Sequence, residues 1–132
     1  MYILIVGCGK AGSHLANSIS RKGEDVVVID NREEAFNNLS TEFTGFTLLG
    51  DATEFELLKE AKIDNADVVI ATTTDDNVNS MIAQIAKDIF EVPKVLARTF
   101  APRREKIYNQ LGIDTICPTT LSVTEFEKAI LD

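Results

Sequence analysis

The residues best suited to chemistry fall within the first 32 positions. Gly7-Cys8-Gly9-Lys10-Ala11-Gly12 follows the apolar run Tyr2–Val6 and opens an amphipathic stretch. That setting gives a Gly-x-Gly-x-x-Gly spacing its meaning. Gly7 then allows a tight turn, Gly9 lets a pyrophosphate approach the backbone, and Gly12 lets a helix pack closely on the strand. Free N–H groups at the helix start face the phosphates. Asp30 ends the run Val26–Ile29, 18 residues after Gly12. A carboxylate there accepts hydrogen bonds from ribose hydroxyls and repels a 2′-phosphate, which favours NAD or an adenine nucleotide over NADP. Asn31 and Arg32 adjoin it. Three alternatives stay open: Arg32 pairs with a phosphate, stacks on adenine or stays in solvent; Asp30 instead caps a helix; Lys10 is a cation over the phosphates or a surface lysine. Cys8 reads as a small loop residue.

These groups need a scaffold, and the rest of the chain supplies one. Short apolar runs at Tyr2–Val6, Asp25–Asp30, Phe46–Leu49, Val68–Thr72, Val95–Arg98 and Thr115–Cys117 alternate with helix-length segments at Ala11–Lys22, Arg32–Phe43, Glu54–Lys62, Asp76–Phe90, Arg103–Leu111 and Leu121–Leu131. Most of the runs are continuously apolar, as strands buried on both faces are. The pattern predicts an α/β domain over 1–132: a Rossmann-type, doubly wound, six-stranded parallel sheet of order 3-2-1-4-5-6 with helices on both faces. The ligand site is expected at the carboxyl ends of the strands, where the first and fourth meet.

Further candidates stand at the later strand ends. Gly50-Asp51-Ala52-Thr53 follows the third; Asp51 and Thr53 lie on the adenine side, or Thr53 caps the next helix. After the fourth, Thr72 and Thr73 leave room for a ligand, and Asp76 or Asn77 is a helix cap. Arg98 places a charge at the end of an apolar strand, for a ligand phosphate or a nearby carboxylate.

Composition narrows the function classes. A length of 132 residues suits one core, and a net charge of −8 opposes nucleic-acid binding. No apolar stretch approaches the roughly 20 residues of a membrane span, and the start reads as a strand rather than a signal peptide. Cys8 and Cys117 lack metal-ligand spacing and read as reduced, cytoplasmic thiols.

Taken together, the chain resembles the TrkA-N, or RCK N-terminal, domain of regulatory subunits of Trk/Ktr-type potassium-uptake systems and ligand-gated potassium channels. The resembling residues are Tyr2–Gly12, Val28–Asp30, Gly50–Thr53 and Asp67–Thr73 with Asn77 and Asn79, then Ala97-Arg98 and Gly112–Asp114 before Pro118. The resemblance implies a nucleotide sensor rather than an enzyme, taking NAD(H) or ATP/ADP and altering an oligomeric ring on a membrane pore. Its location would be cytoplasmic, at the inner face of the membrane through its partner. Carried over, Gly7, Gly9, Lys10, Ala11 and Gly12 hold phosphates, Asp30 the ribose, Asp51, Ala52 and Thr53 border the adenosine, Thr72 and Thr73 form the far wall, and Arg98 faces the phosphates. Two departures stand out. Relatives commonly carry a second, C-terminal domain, and arginine or glutamine often fills the position of Lys10.

The last helical segment carries Leu121, Val123, Phe126, Ala129, Ile130 and Leu131, more apolar surface than one helix needs at a sheet's end. It packs on its own domain or crosses to a second subunit, with Phe126 the first candidate anchor. The competing function is the cofactor domain of an NAD-dependent oxidoreductase. Against it, no substrate domain is present and the sole histidine, His14, sits two residues into the helix after the glycine loop. A second competitor is an interaction module that uses a nucleotide only for stability.

Overall fold

Continuous apolar runs have one economical solution: strands covered on both sides. The computed structural model, which describes residues 1–131, has this arrangement. Strands β1 (Tyr2–Val6), β2 (Asp25–Asp30), β3 (Phe46–Leu49), β4 (Val68–Ala71), β5 (Lys94–Arg98) and β6 (Asp114–Ile116) form one parallel sheet of order β3-β2-β1-β4-β5-β6. The helices are α1 (Lys10–Arg21), α2 (Phe55–Glu60), α3 (Asp76–Gln84), α4 (Glu105–Gln110) and α5 (Pro118–Leu131).

Alternate residues of β1 feed two cores. Ile3 and Ile5 join Val26, Val28 and Ala16 beneath α1; Leu4 and Val6 join Ile29, Leu58, Val69 and Ile82 beneath α2 and α3. Each fully buried Leu or Ile stabilises the fold by roughly 1.5–3 kcal/mol. No helix among the described residues is long and apolar enough to cross a membrane.

Several boundaries differ from the expectation. The predicted helix over 32–43 is only a 3-10 turn, Glu33–Asn38. Side chains compete with the backbone there: Asn17 Oδ1 accepts from Ser40 N at 2.9 Å and Ser40 Oγ from Glu42 N at 3.1 Å. The helix predicted over 54–62 shrinks to α2, because Lys62 adopts a left-handed φ of 59°. Beyond Gln84, α3 widens into a π-turn, Ile85–Ile89. The last helix starts earlier than predicted, at Pro118, a residue suited to a first helical position.

Candidate functional site

The sheet reverses direction at β1, whose neighbours are β2 and β4. Above the carboxyl ends of these strands lies a cleft of about 850 Å³, within the roughly 300–1,000 Å³ usual for ligand sites. Twelve of the residues predicted from sequence line it: Gly7, Gly9, Lys10, Asp30, Asn31, Arg32, Asp51, Ala52, Thr53, Thr72, Thr73 and Arg98. Ala11 and Gly12 lie behind them in the first turn of α1.

The glycines do separable jobs. Gly7 has φ +108°, and a Cβ there would come within 2.7 Å of the Thr72 carbonyl oxygen. A Cβ on Gly12 would lie 1.8 Å from the Gly7 carbonyl oxygen. These two contacts close the turn. A Cβ on Gly9 would meet nothing within 4 Å, so this position opens onto space. Gly9 begins α1 with no side-chain cap, and the helix's first internal acceptor receives from Ser13 N at 2.9 Å. The N–H groups of Gly9 to Gly12 therefore have no acceptor among the described residues, at the positive end of a helix whose first turn carries no acid.

Asp30 is held by both oxygens. Oδ2 accepts from Cys8 N at 2.8 Å, and Oδ1 accepts from Arg32 N at 2.9 Å with the Arg32 Nε 3.7 Å away. This ties the end of β2 to the glycine loop and leaves carboxylate lone pairs free. Asp30 does not cap the 3-10 turn, which begins after Arg32. The Cys8 thiol is buried, and burial, assisted by the Asp30 charge, pushes it up to about 11. It is a neutral packing group at pH 7.

Asp51 Oδ1 accepts from both Thr53 N (2.9 Å) and Thr53 Oγ1 (2.6 Å), which hold the carboxyl below its ordinary range. Thr53 is therefore not the helix cap that its position suggested; Glu54 stands there and makes no side-chain cap bond. The cap of α3 is likewise neither Asp76 nor Asn77 but Asp75, whose carboxylate accepts from Asn77 N and Val78 N.

Arg98 reaches across the floor. Its Nη2 donates to the carbonyl oxygens of Thr72 (3.0 Å) and Thr73 (2.8 Å), and its guanidinium carbon sits 4.9 Å from the centroid of the Phe100 ring. Its Nε is buried without a partner. Burial lowers the guanidinium's pKa, with the Asp76 charge opposing. The arginine thus stitches β5 to β4 from within the cleft, besides presenting charge there.

Beneath the cleft, two side chains of α3 hold the ends of β4 and β5 together. Asn79, 1% exposed, accepts at Oδ1 from Thr73 N (2.8 Å) and Thr73 Oγ1 (2.7 Å), and donates from Nδ2 to Thr73 O (3.0 Å) and Arg98 O (3.1 Å). Asp76 accepts from Thr99 Oγ1 and from Phe100 N, each at 3.0 Å. The available signal was an asparagine in register with Ile82, Ala83 and Ala86 on the apolar face of α3.

The TrkA-N domain family model matches residues 3–119. The Trk system potassium uptake protein TrkA of Streptomyces coelicolor is 34% identical over 131 residues, which cover 99% of this chain and 59% of that protein. The chain thus spans about three-fifths of that relative's length. Among solved structures, the TrkA-N domain of the inner membrane protein ybaL from Escherichia coli superposes with a TM-score of 0.86 at 19% identity, over 98% of this chain and 96% of that one. The Shewanella denitrificans Kef CTD in its AMP-bound form gives 0.82 at 20% identity, over 99% and 80%. The GsuK channel bound to NAD gives 0.72 at 19% identity, over 89% and 21%. At these identities the structural likeness establishes the fold.

Proposed function

The chain belongs to the TrkA-N domain family, and from that premise we propose that it is a nucleotide-binding regulatory domain, not a catalyst, acting on a potassium-transporting membrane protein. The observation that carries the reading is the cleft at the sheet's reversal, where unpaired helix-start amides and a pre-fixed carboxylate face one space. Support comes from a relative named for potassium uptake and from like-folded structures bound to AMP and to NAD.

In this reading the ligand is NAD(H) or ATP/ADP. Its phosphates lie against Gly7, Gly9, Lys10, Ala11 and Gly12. Its adenosine ribose bonds to Asp30 beside Asn31 and Arg32, and Asp51, Ala52 and Thr53 border the adenosine. Thr72 and Thr73 form the far wall, where Arg98 meets phosphate. A ligand spanning the glycine loop and Arg98 ties the two halves of the sheet together, and ligands of different reach then favour different subunit arrangements. The protein works as a homodimer or higher oligomer, peripheral to the inner face of the membrane through its partner. Helix α5 is the subunit contact: none of its described residues is buried, and Phe126 is 68% exposed. A face to receive it exists on β4–β6, where Ile70 and Leu96 are only half-buried and Ile116 is exposed.

The test is calorimetric titration with NAD, NADH, ATP and ADP, paired with solution scattering. Asp30→Ala should weaken binding about tenfold or more, a loss near 1.4 kcal/mol. Undiminished affinity in that variant refutes the ribose role. Equal affinities for all four ligands, with no change of shape, refute sensing.

A further inference from the structure

Helix α5 is fixed at its root and free along its length. At the root Cys117 is 1% exposed, and the Ile116 carbonyl accepts from Thr99 N at 3.0 Å. Beyond it, none of the described residues of α5 is buried. Among the described residues one side-chain hydrogen bond joins α5 to the rest of the chain: Thr120 Oγ1 donates to Glu105 Oε1 at 2.7 Å. The tilt of α5 on the sheet therefore follows the position of Glu105.

Glu105 stands where α3 puts it. It opens α4 and comes directly after the 3-10 turn Pro102–Arg104. Arg104 faces the start of α3, with Nη1 3.5 Å from Asn77 Oδ1 and 3.8 Å from Asp76 Oδ2. Asp76 in turn holds Thr99 Oγ1 and Phe100 N, each at 3.0 Å, in the two residues that follow Arg98. Its charge also acts on Arg98 itself. One carboxylate thus stands between two arginines, one lining the cleft and one leading to α5. Both contacts of Arg104 are long, whereas a charge-assisted N–H···O bond closes to about 2.7–2.9 Å. They have room to tighten.

We infer that Asp76, Arg104 and the Glu105–Thr120 bond form a linkage that turns occupation of the cleft into a change in the tilt of α5. The inference rests on the nucleotide reading of the cleft. A phosphate brought against Arg98 neutralises the guanidinium and repels the Asp76 carboxylate, and both effects favour the pairing of Asp76 with Arg104. Closing that pair draws the start of α4 towards α3, and Glu105 carries Thr120 with it about the fixed Cys117. No contact between ligand and α5 is needed. The occupied and empty clefts differ in how strongly Asp76 binds Arg104, and that difference biases the helix. Glu105 and Thr120 are positioning residues, outside the cleft.

The experiment is amide NMR on the ¹⁵N-labelled chain, in two arms. In the first, ATP should shift residues 7–12 and 72–73 and, in step with them, 104–105 and 119–122. In Thr120→Val the shifts over 119–122 should be lost and the others kept, with ATP affinity within about twofold of the parent. Thr120→Ser should restore them. In the second arm, without nucleotide, Arg98→Met frees Asp76 for Arg104 and Asp76→Asn weakens that pair. The two should move the amides of 104–105 and 119–122 in opposite directions, and adding Thr120→Val should cancel the movement over 119–122. If Arg98→Met perturbs folding, Asp76→Asn with and without Thr120→Val carries this arm. Shifts over 119–122 that survive Thr120→Val, or an α5 that answers neither ATP nor the charge variants, overturn the inference. If ATP moves no amide of the cleft, the nucleotide reading fails, and the arm without nucleotide still decides the linkage.

Discussion

A methyl group added at Gly12 would lie 1.8 Å from the Gly7 carbonyl oxygen, whereas one added at Gly9 would meet nothing within 4 Å. Gly12→Ala should therefore destabilise the fold by at least about 2 kcal/mol in chemical denaturation. Gly9→Ala should leave stability within about 0.5 kcal/mol of the parent. If a pyrophosphate closes on that backbone, Gly9→Ala should nonetheless lower nucleotide affinity about tenfold in calorimetry, a loss near 1.4 kcal/mol. Asp51 offers a prediction in pH. Hydrogen bonds from Thr53 depress its pKa, so what they contribute is present above the carboxyl's unfolded value and is lost as pH falls through the lower folded one. Thr53→Val should move the Asp51 titration, followed by NMR, up towards the ordinary value of 3.8.

At the scale of elements, α3 does more than cover the sheet. Its cap Asp75 satisfies the helix start, and Asp75→Ala should cost about 1 kcal/mol. Asn79→Leu fills the same space but orphans Thr73 N and Arg98 O, and a loss of about 2–4 kcal/mol is expected in thermal or chemical unfolding. The strands were legible in sequence because burial on both faces writes an unbroken apolar run, as in Val26–Ile29. The segment over 32–43 was not, because Asn17 and Ser40 satisfy its backbone from positions that no periodicity displays. Within the cleft the glycine loop and Asp30 were legible from spacing. The hold of Arg98 on the carbonyls of Thr72 and Thr73 depends on β4 and β5 being neighbours, and spacing alone does not show where a guanidinium turns.

The whole molecule is a six-stranded sheet with its candidate ligand cleft at one end and a last helix, α5, none of whose described residues is buried. Truncation after Ser122, removing residues 123–132, should leave the unfolding midpoint within a few degrees, since no described residue of α5 is buried. The same truncation should convert the sedimenting species to monomer if α5 joins subunits. The strand order has a consequence for synthesis. β1 lies at the centre of the sheet, yet one of its neighbours, β4, begins 38 positions after β2 ends. At about 5–20 residues per second, a ribosome takes roughly 2–8 s to supply it. Through that interval the nascent chain displays the bare flank of β1, and a chaperone that shields short apolar strands would find its substrate there.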